Sequence, residues 1–124
     1  MLEQFHIIAF THRNFDVSEV GKLHIESDAQ PEKLTALKEK MGLSELMFLS
    51  TCNRVEYLFC TERAIGMEFL KGFFSSLYPQ YTSEEIDAFV ESGSLYTAMP
   101  AIDHILQVAS SIDSMVVGER EIIT

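Results

Sequence analysis

Short β-prone apolar runs alternate along the chain with stretches whose apolar positions recur every three or four residues, a pattern of mixed strands and amphipathic helices. The run "EQFHIIAF" at 3–10 leads into polar "THRNFD", which predicts a first strand followed by a loop. "VSEVGKLHI" has the makings of a short helix that Gly21 weakens. A firmer helix is predicted over 31–41, where Pro31 suits the first turn, Leu34, Leu37 and Met41 share a face, and Gly42 supplies the stop. "SELMFLS" and "RVEYLFCTE" read as two strands with only "TCN" between them, so an antiparallel hairpin is predicted with Cys52 at or near its tip. Ile65, Phe69, Phe73 and Leu77 predict a helix over 64–77 that Pro79 ends. Thr82 and Glu85 form a capping-box signature for a helix "SEEIDAFVES", closed by Gly93. "SLYT" is a short last strand, and Pro100 opens "AIDHILQVASSI". There Ile102, Ile105, Leu106 and Ala109 define an apolar face, with His104, Gln107 and Ser111 on a more polar one.

This order predicts an α+β fold, a ferredoxin-like split βαβ antiparallel sheet with additional helices before the last strand. The sequence has no repeats, low-complexity segments or linker, and 124 residues at 47% hydrophobic content suit one domain, 1–124. The opening "MLEQFHIIAF" lacks a basic segment before its apolar run, and no apolar stretch is long enough to span a bilayer; a cytoplasmic protein is expected. The closing "GEREIIT" is rising into a helical, apolar segment and reads as a cut rather than a terminus.

Charge narrows the partners. The formal net charge is −10, and both halves are acidic: residues 1–62 carry 6 basic against 10 acidic side chains, and 63–124 carry 3 against 9. A phosphate backbone needs clustered Lys and Arg, so a nucleic-acid partner would have to be held mainly from elsewhere, or by a local patch of Arg13, Lys22 and Arg54.

Cys52 and Cys60 stand eight residues apart with no C-x-x-C and no Cys/His pair at zinc spacing, which argues against a structural metal and against a disulfide scaffold. Cys60, in an alternating strand, reads as a small apolar filler. Cys52 has that bland reading too, but a hairpin loop has no packing need for a thiol, and Arg54 two residues on would favour the thiolate. Arg54 itself is either half of a surface pair with Glu56 or a bidentate clamp for a carboxylate. His6 and His24 read as structural, whereas His12 and His104 are the candidates for proton transfer. "DSMVVGE" at 113–119 reads as a helix joint broken at Gly118, and no glycine-rich nucleotide fingerprint occurs anywhere.

Taken together, "LSTCNRVEYLF" and "HILQVASSIDSMVVGEREI" resemble the two signature stretches of the glutamyl-tRNA reductase family, and "IIAFTHRNFDVSEV" resembles its N-terminal stretch. The resemblance spans nearly the whole chain. It implies the N-terminal catalytic, glutamate-binding domain, truncated before a spinal helix, with the NADPH-binding and dimerisation domains absent. It further implies that Cys52 attacks the ester of glutamyl-tRNA to give a thioester, which NADPH, held only by the longer protein, reduces to glutamate-1-semialdehyde for tetrapyrrole synthesis. His104 is implied as the second catalytic residue. Thr51, Asn53, Arg54, Ser114, Glu119 and Glu121 are implied to bind substrate, with Arg54 and Glu119 suited to the γ-carboxylate and α-ammonium of glutamate. The family's G-E-P-Q is here Gly118, Glu119, Arg120, Glu121, so Glu121 adds negative charge beside an acidic substrate; its A-P-V is Phe15, Asp16, Val17. The implied partners are glutamyl-tRNA, glutamate-1-semialdehyde aminomutase as receiver of the product, and a second copy in a full-length homodimer, with this fragment monomeric. Two other classes compete: a ferredoxin-like ligand-binding or interaction module in which Cys52 is incidental, and a stand-alone cysteine hydrolase using Cys52 and His104.

Overall fold

Alternation along the strands builds a sheet with two unlike faces, and that difference positions everything that follows. The computed structural model describes residues 4–11, 17–51 and 54–115, with side chains described except at 17–18 and 108–115. The elements follow the predicted order: β1 (Phe5–Thr11), α1 (Val17–Gly21), α2 (Gln30–Met41), β2 (Glu45–Ser50), β3 (Arg54–Cys60), α3 (Met67–Leu77), α4 (Ser83–Ser92), β4 (Ser94–Thr97) and α5 (Met99–Met115). The strands lie in the order β2-β3-β1-β4, and every neighbouring pair is antiparallel. β1 and β2 therefore run the same way with β3 inserted between them, the split βαβ arrangement the element order predicts.

One face carries Ile8 and Phe10 of β1, Val55, Tyr57 and Phe59 of β3, and Phe48 of β2, packed with Leu37 and Met41 of α2, Phe69, Phe73, Phe74 and Leu77 of α3, and Ile86 and Phe89 of α4. Tyr57 meets Phe73 and Phe74 edge-on at 5.5 and 5.4 Å between ring centres, a geometry that the ring quadrupoles favour. Val20, Leu23 and Ile25 close the same core beyond α1. The helix predicted there is short: α1 stops at Gly21, and three successive backbone turns carry the chain on to His24.

The ends of the longer helices follow their sequence signals. Gly42 takes the left-handed conformation (φ 69°) that stops α2, and Thr82 and Glu85 complete the capping box of α4. α3 starts at Met67 rather than at 64, with extended Gly66 as its N-cap, while Ile65 still packs on the core. Gly93 ends α4 so close over β1 that a Cβ there would lie 2.9 Å from the Phe10 ring.

The second face carries Ile7 and Ala9, Arg54, Glu56 and Leu58, Met47 and Leu49, and Tyr96. Ala98, in the left-handed region at φ 63°, turns the chain from β4 into α5, which covers this face on its β1–β4 side. Among the described residues no element covers the β2 side of this face, and Met47 and Leu49 are exposed. The predicted inward face of α5 differs in one respect: Leu106 is 61% exposed and Ala101 is fully buried, because the helix approaches the sheet through Ala101 and His104. Among the described residues, no helix is long and apolar enough to cross a membrane.

Candidate active site

β3 begins at the hairpin end with Arg54, and strand alternation returns the next same-face position at Glu56. Glu56 lies between Ala9 of β1 and Leu49 of β2, under α5, and is only 2% exposed. A carboxylate so placed is tolerable only if its oxygens are hydrogen-bonded and its charge is met. Both conditions hold: Arg54 Nε donates to Oε2 at 2.6 Å, and His104 Nε2 donates to Oε1 at 2.6 Å. An ionised carboxylate only accepts, so the His104 ring carries a proton on Nε2. Tyr96 stacks on that ring with centres 4.3 Å apart and planes at 17°, fixing its orientation.

The result is a cation, an acid and an imidazole in line, drawn from the start of β3, its third residue and the second turn of α5. Arg54 spends Nε on Glu56, and its two terminal nitrogens make no hydrogen bond to any other described residue. A guanidinium anchored on one edge and, among the described residues, unengaged on the other can fork onto a ligand carboxylate. Glu56 orients the imidazole through Nε2, which leaves Nδ1 as the nitrogen that can exchange a proton.

Of the residues singled out from the sequence, the fold unites Arg54 and His104. Thr51 is exposed, and its N–H donates to the Arg54 carbonyl at 2.8 Å, closing the hairpin. Cys52, Asn53, Glu119 and Glu121 lie outside the described residues, as do His12 and Arg13; Ser114 falls within α5, its side chain outside the described set. The residue that sequence reasoning passed over as a site member is Glu56. Its pairing with Arg54 is present, but as a buried contact rather than the surface pair anticipated, because α5 covers the acid. The available signal was a lone acid inside the apolar strand "RVEYLFC". Of the cations anticipated as a basic patch, Lys22 pairs with Glu19 and Arg54 with Glu56, and Arg13 lies outside the described residues.

The remaining titratable groups divide by burial. His6 is 4% exposed, bonded through Nδ1 to Thr97 Oγ1 at 2.9 Å, and burial holds its pKa below the usual value. His24, expected to be structural, is exposed, with Nδ1 3.3 Å from Ser50 Oγ. Cys60 is free, and desolvation followed by the nearby Glu45 charge pushes its pKa up, keeping it a thiol.

Residues 8–124 match the family described as "Glutamyl-tRNAGlu reductase, N-terminal domain". The chain is 36% identical over 117 residues to a glutamyl-tRNA reductase of Campylobacter curvus, covering 94% of this chain and 27% of that protein. Identity to the glutamyl-tRNA reductase of Syntrophobacter fumaroxidans is 32% over 118 residues, covering 94% of this chain and 25% of that protein. Among solved structures, glutamyl-tRNA reductase from Methanopyrus kandleri superposes with a TM-score of 0.63 at 28% identity, over 97% of this chain and 25% of that one. The chain thus spans about a quarter of the length of the curated relatives it matches.

Proposed function

The chain belongs to the glutamyl-tRNA reductase family, matching its N-terminal domain, and from that premise we propose that it performs the acyl-transfer half of such an enzyme's reaction. Cys52 takes the glutamyl group of glutamyl-tRNA as a thioester. The observation that carries this reading is the Arg54–Glu56–His104 cluster, which begins two residues beyond Cys52 in the sequence.

The thiolate sulfur attacks the ester carbonyl carbon, a C–S bond forms, and the C–O bond to the terminal ribose breaks. The ribose oxygen leaves with the bonding pair and ends with the proton that the thiol gave up. Splitting a hard reduction into acyl transfer and a later step is the advantage of covalent catalysis, since a thioester accepts hydride more readily than an oxygen ester. Arg54, steadied at Nε by Glu56, turns its terminal N–H groups to the side-chain carboxylate of the glutamyl group. His104 stands beside it to move a proton at Nδ1. Glu119 reads the α-ammonium, and Thr51, Asn53, Ser114 and Glu121 line the remainder of the pocket.

Reduction to glutamate-1-semialdehyde takes a hydride, which NADPH supplies when bound. The residues of this chain do not fit that cofactor: no G-x-G-x-x-G occurs in the 124 residues, and the described sheet is antiparallel rather than the parallel sheet of dinucleotide folds. Hydride delivery, a homodimer and hand-over to an aminomutase accordingly fall to a longer protein, and this chain alone stops at the thioester or loses glutamate to water.

The test is intact mass after incubation with glutamyl-tRNA. A glutamyl adduct is expected on the native chain and absent from Cys52→Ala. An adduct on Cys52→Ala, or none on either, contradicts the proposal.

A further inference from the structure

An aminoacyl ester has two limbs, and Arg54 and Glu56 account for only one. They project from one face of the sheet; Ser50, paired opposite Val55, projects from the other. Beside Ser50, at the same hairpin end but across the sheet from Arg54, lies an open cleft of about 480 Å³ bordered by Val20, Gly21, His24, Ser50 and Thr51. Its size falls within the ~300–1,000 Å³ usual for small-ligand sites. Its walls are unlike: Gly21 is exposed and carries no side chain, whereas His24 and Ser50, 3.3 Å apart at Nδ1 and Oγ, offer a donor–acceptor pair. Gly21 leaves that wall clear, since a Cβ built there meets nothing within 4 Å.

We propose that this cleft is the leaving-group subsite, which takes the 3′-terminal nucleoside of the tRNA, with its one unesterified ribose hydroxyl toward His24 and Ser50 and its base over Gly21. The inference rests on the acyl transfer proposed above. Thr51, which borders the cleft, is bonded through its backbone to Arg54, so one hairpin end joins the two subsites. The scissile bond between acyl carbon and ribose oxygen then spans this end, which is where Cys52 stands in the sequence. An exposed imidazole bonded to a neighbouring hydroxyl suits the ribose hydroxyl that the ester leaves free, which both donates and accepts hydrogen bonds.

The experiment compares the rates of glutamyl adduct formation from glutamyl-tRNA and from the p-nitrophenyl ester of glutamate, whose leaving group is no nucleoside. Gly21→Leu fills the cleft from a position with room for a side chain and is expected to lower the ratio of the two rates tenfold or more. His24→Ala, an exposed substitution, is expected to lower it severalfold. Gly66→Leu, equally free of neighbours but away from the cleft, leaves the ratio in place. An unchanged ratio in both cleft variants overturns the subsite, as does an equal slowing with both esters, which would mean that the substitutions act on the hairpin as a whole. Absence of adduct on the native chain from either ester instead contradicts the acyl transfer itself and removes the subsite with it.

Discussion

Glu56 is a charge in the middle of a sheet, and its two partners are what make it affordable there. With Arg54 Nε and His104 Nε2 each at 2.6 Å, the carboxylate exchanges water for two charge-assisted contacts, and removing it strands an arginine and an imidazole under α5. Glu56→Ala is expected to cost about 2–3 kcal/mol in urea unfolding, reduced from the fully buried case because Arg54 keeps 28% of its side chain exposed. Glu56→Gln, which keeps the shape, is expected to cost less stability yet to slow adduct formation at least tenfold, because Arg54 and the His104 ring lose their anchor. Comparable slowing without the split between the two variants would mean that Glu56 serves the fold alone. His6 shows a second residue-scale effect. Burial lowers its folded-state pKa below the unfolded value of about 6.5. The unfolded chain therefore binds the proton more readily, so this contribution to stability is complete above pH ~6.5 and is lost as the pH falls through 6.5 toward the lowered folded value. His6→Gln should flatten that part of the pH profile of unfolding.

At the scale of elements, the strands, helices and caps were legible because each has a local cause: period-two runs on β1 to β3, four-residue spacing in α3, Pro31 and Gly42 around α2, and the Thr82–Glu85 box of α4. The orientation of α5 was not. Its periodicity offered Leu106 to the core, but Ala98 at positive φ and the pull of Glu56 on His104 turn a different stripe inward. The burial of Glu56 was hidden for the same reason, since a strand's own sequence does not say which face a distant helix will cover. A tyrosine chain also crosses elements. The Tyr78 hydroxyl beyond α3 donates to the Leu23 carbonyl and bonds to Tyr57 of β3, and desolvation raises both phenol pKa values, keeping them neutral. Tyr78→Phe leaves the Leu23 carbonyl and the Tyr57 hydroxyl short of a partner and is expected to cost about 1–3 kcal/mol. Faster amide exchange confined to residues 20–25 would locate the loss beside the cleft; exchange unchanged there would deny that the chain ties this segment down.

For the whole molecule, a net charge of −10 has to be reconciled with the proposed substrate, whose carrier is a polyanion. Of the cations expected to help, Lys22 pairs with Glu19 and Arg54 with Glu56, Arg13 lying outside the described residues, whereas Lys33, Lys38 and Lys40 of α2 form no ion pair among the described residues. On the proposed function, the domain reads the acyl group more than it attracts the RNA, and the glutamyl carboxylate is read by the Arg54 guanidinium anchored on Glu56. The decisive measurement is the rate and position of adduct formation, by peptide-resolved mass spectrometry, with the same tRNA charged with glutamate or with its neutral isostere glutamine. Transfer to Cys52 at least tenfold faster from the glutamate ester is the expected result. Equal rates from the two esters, or an acyl group found on any other residue, would contradict the account.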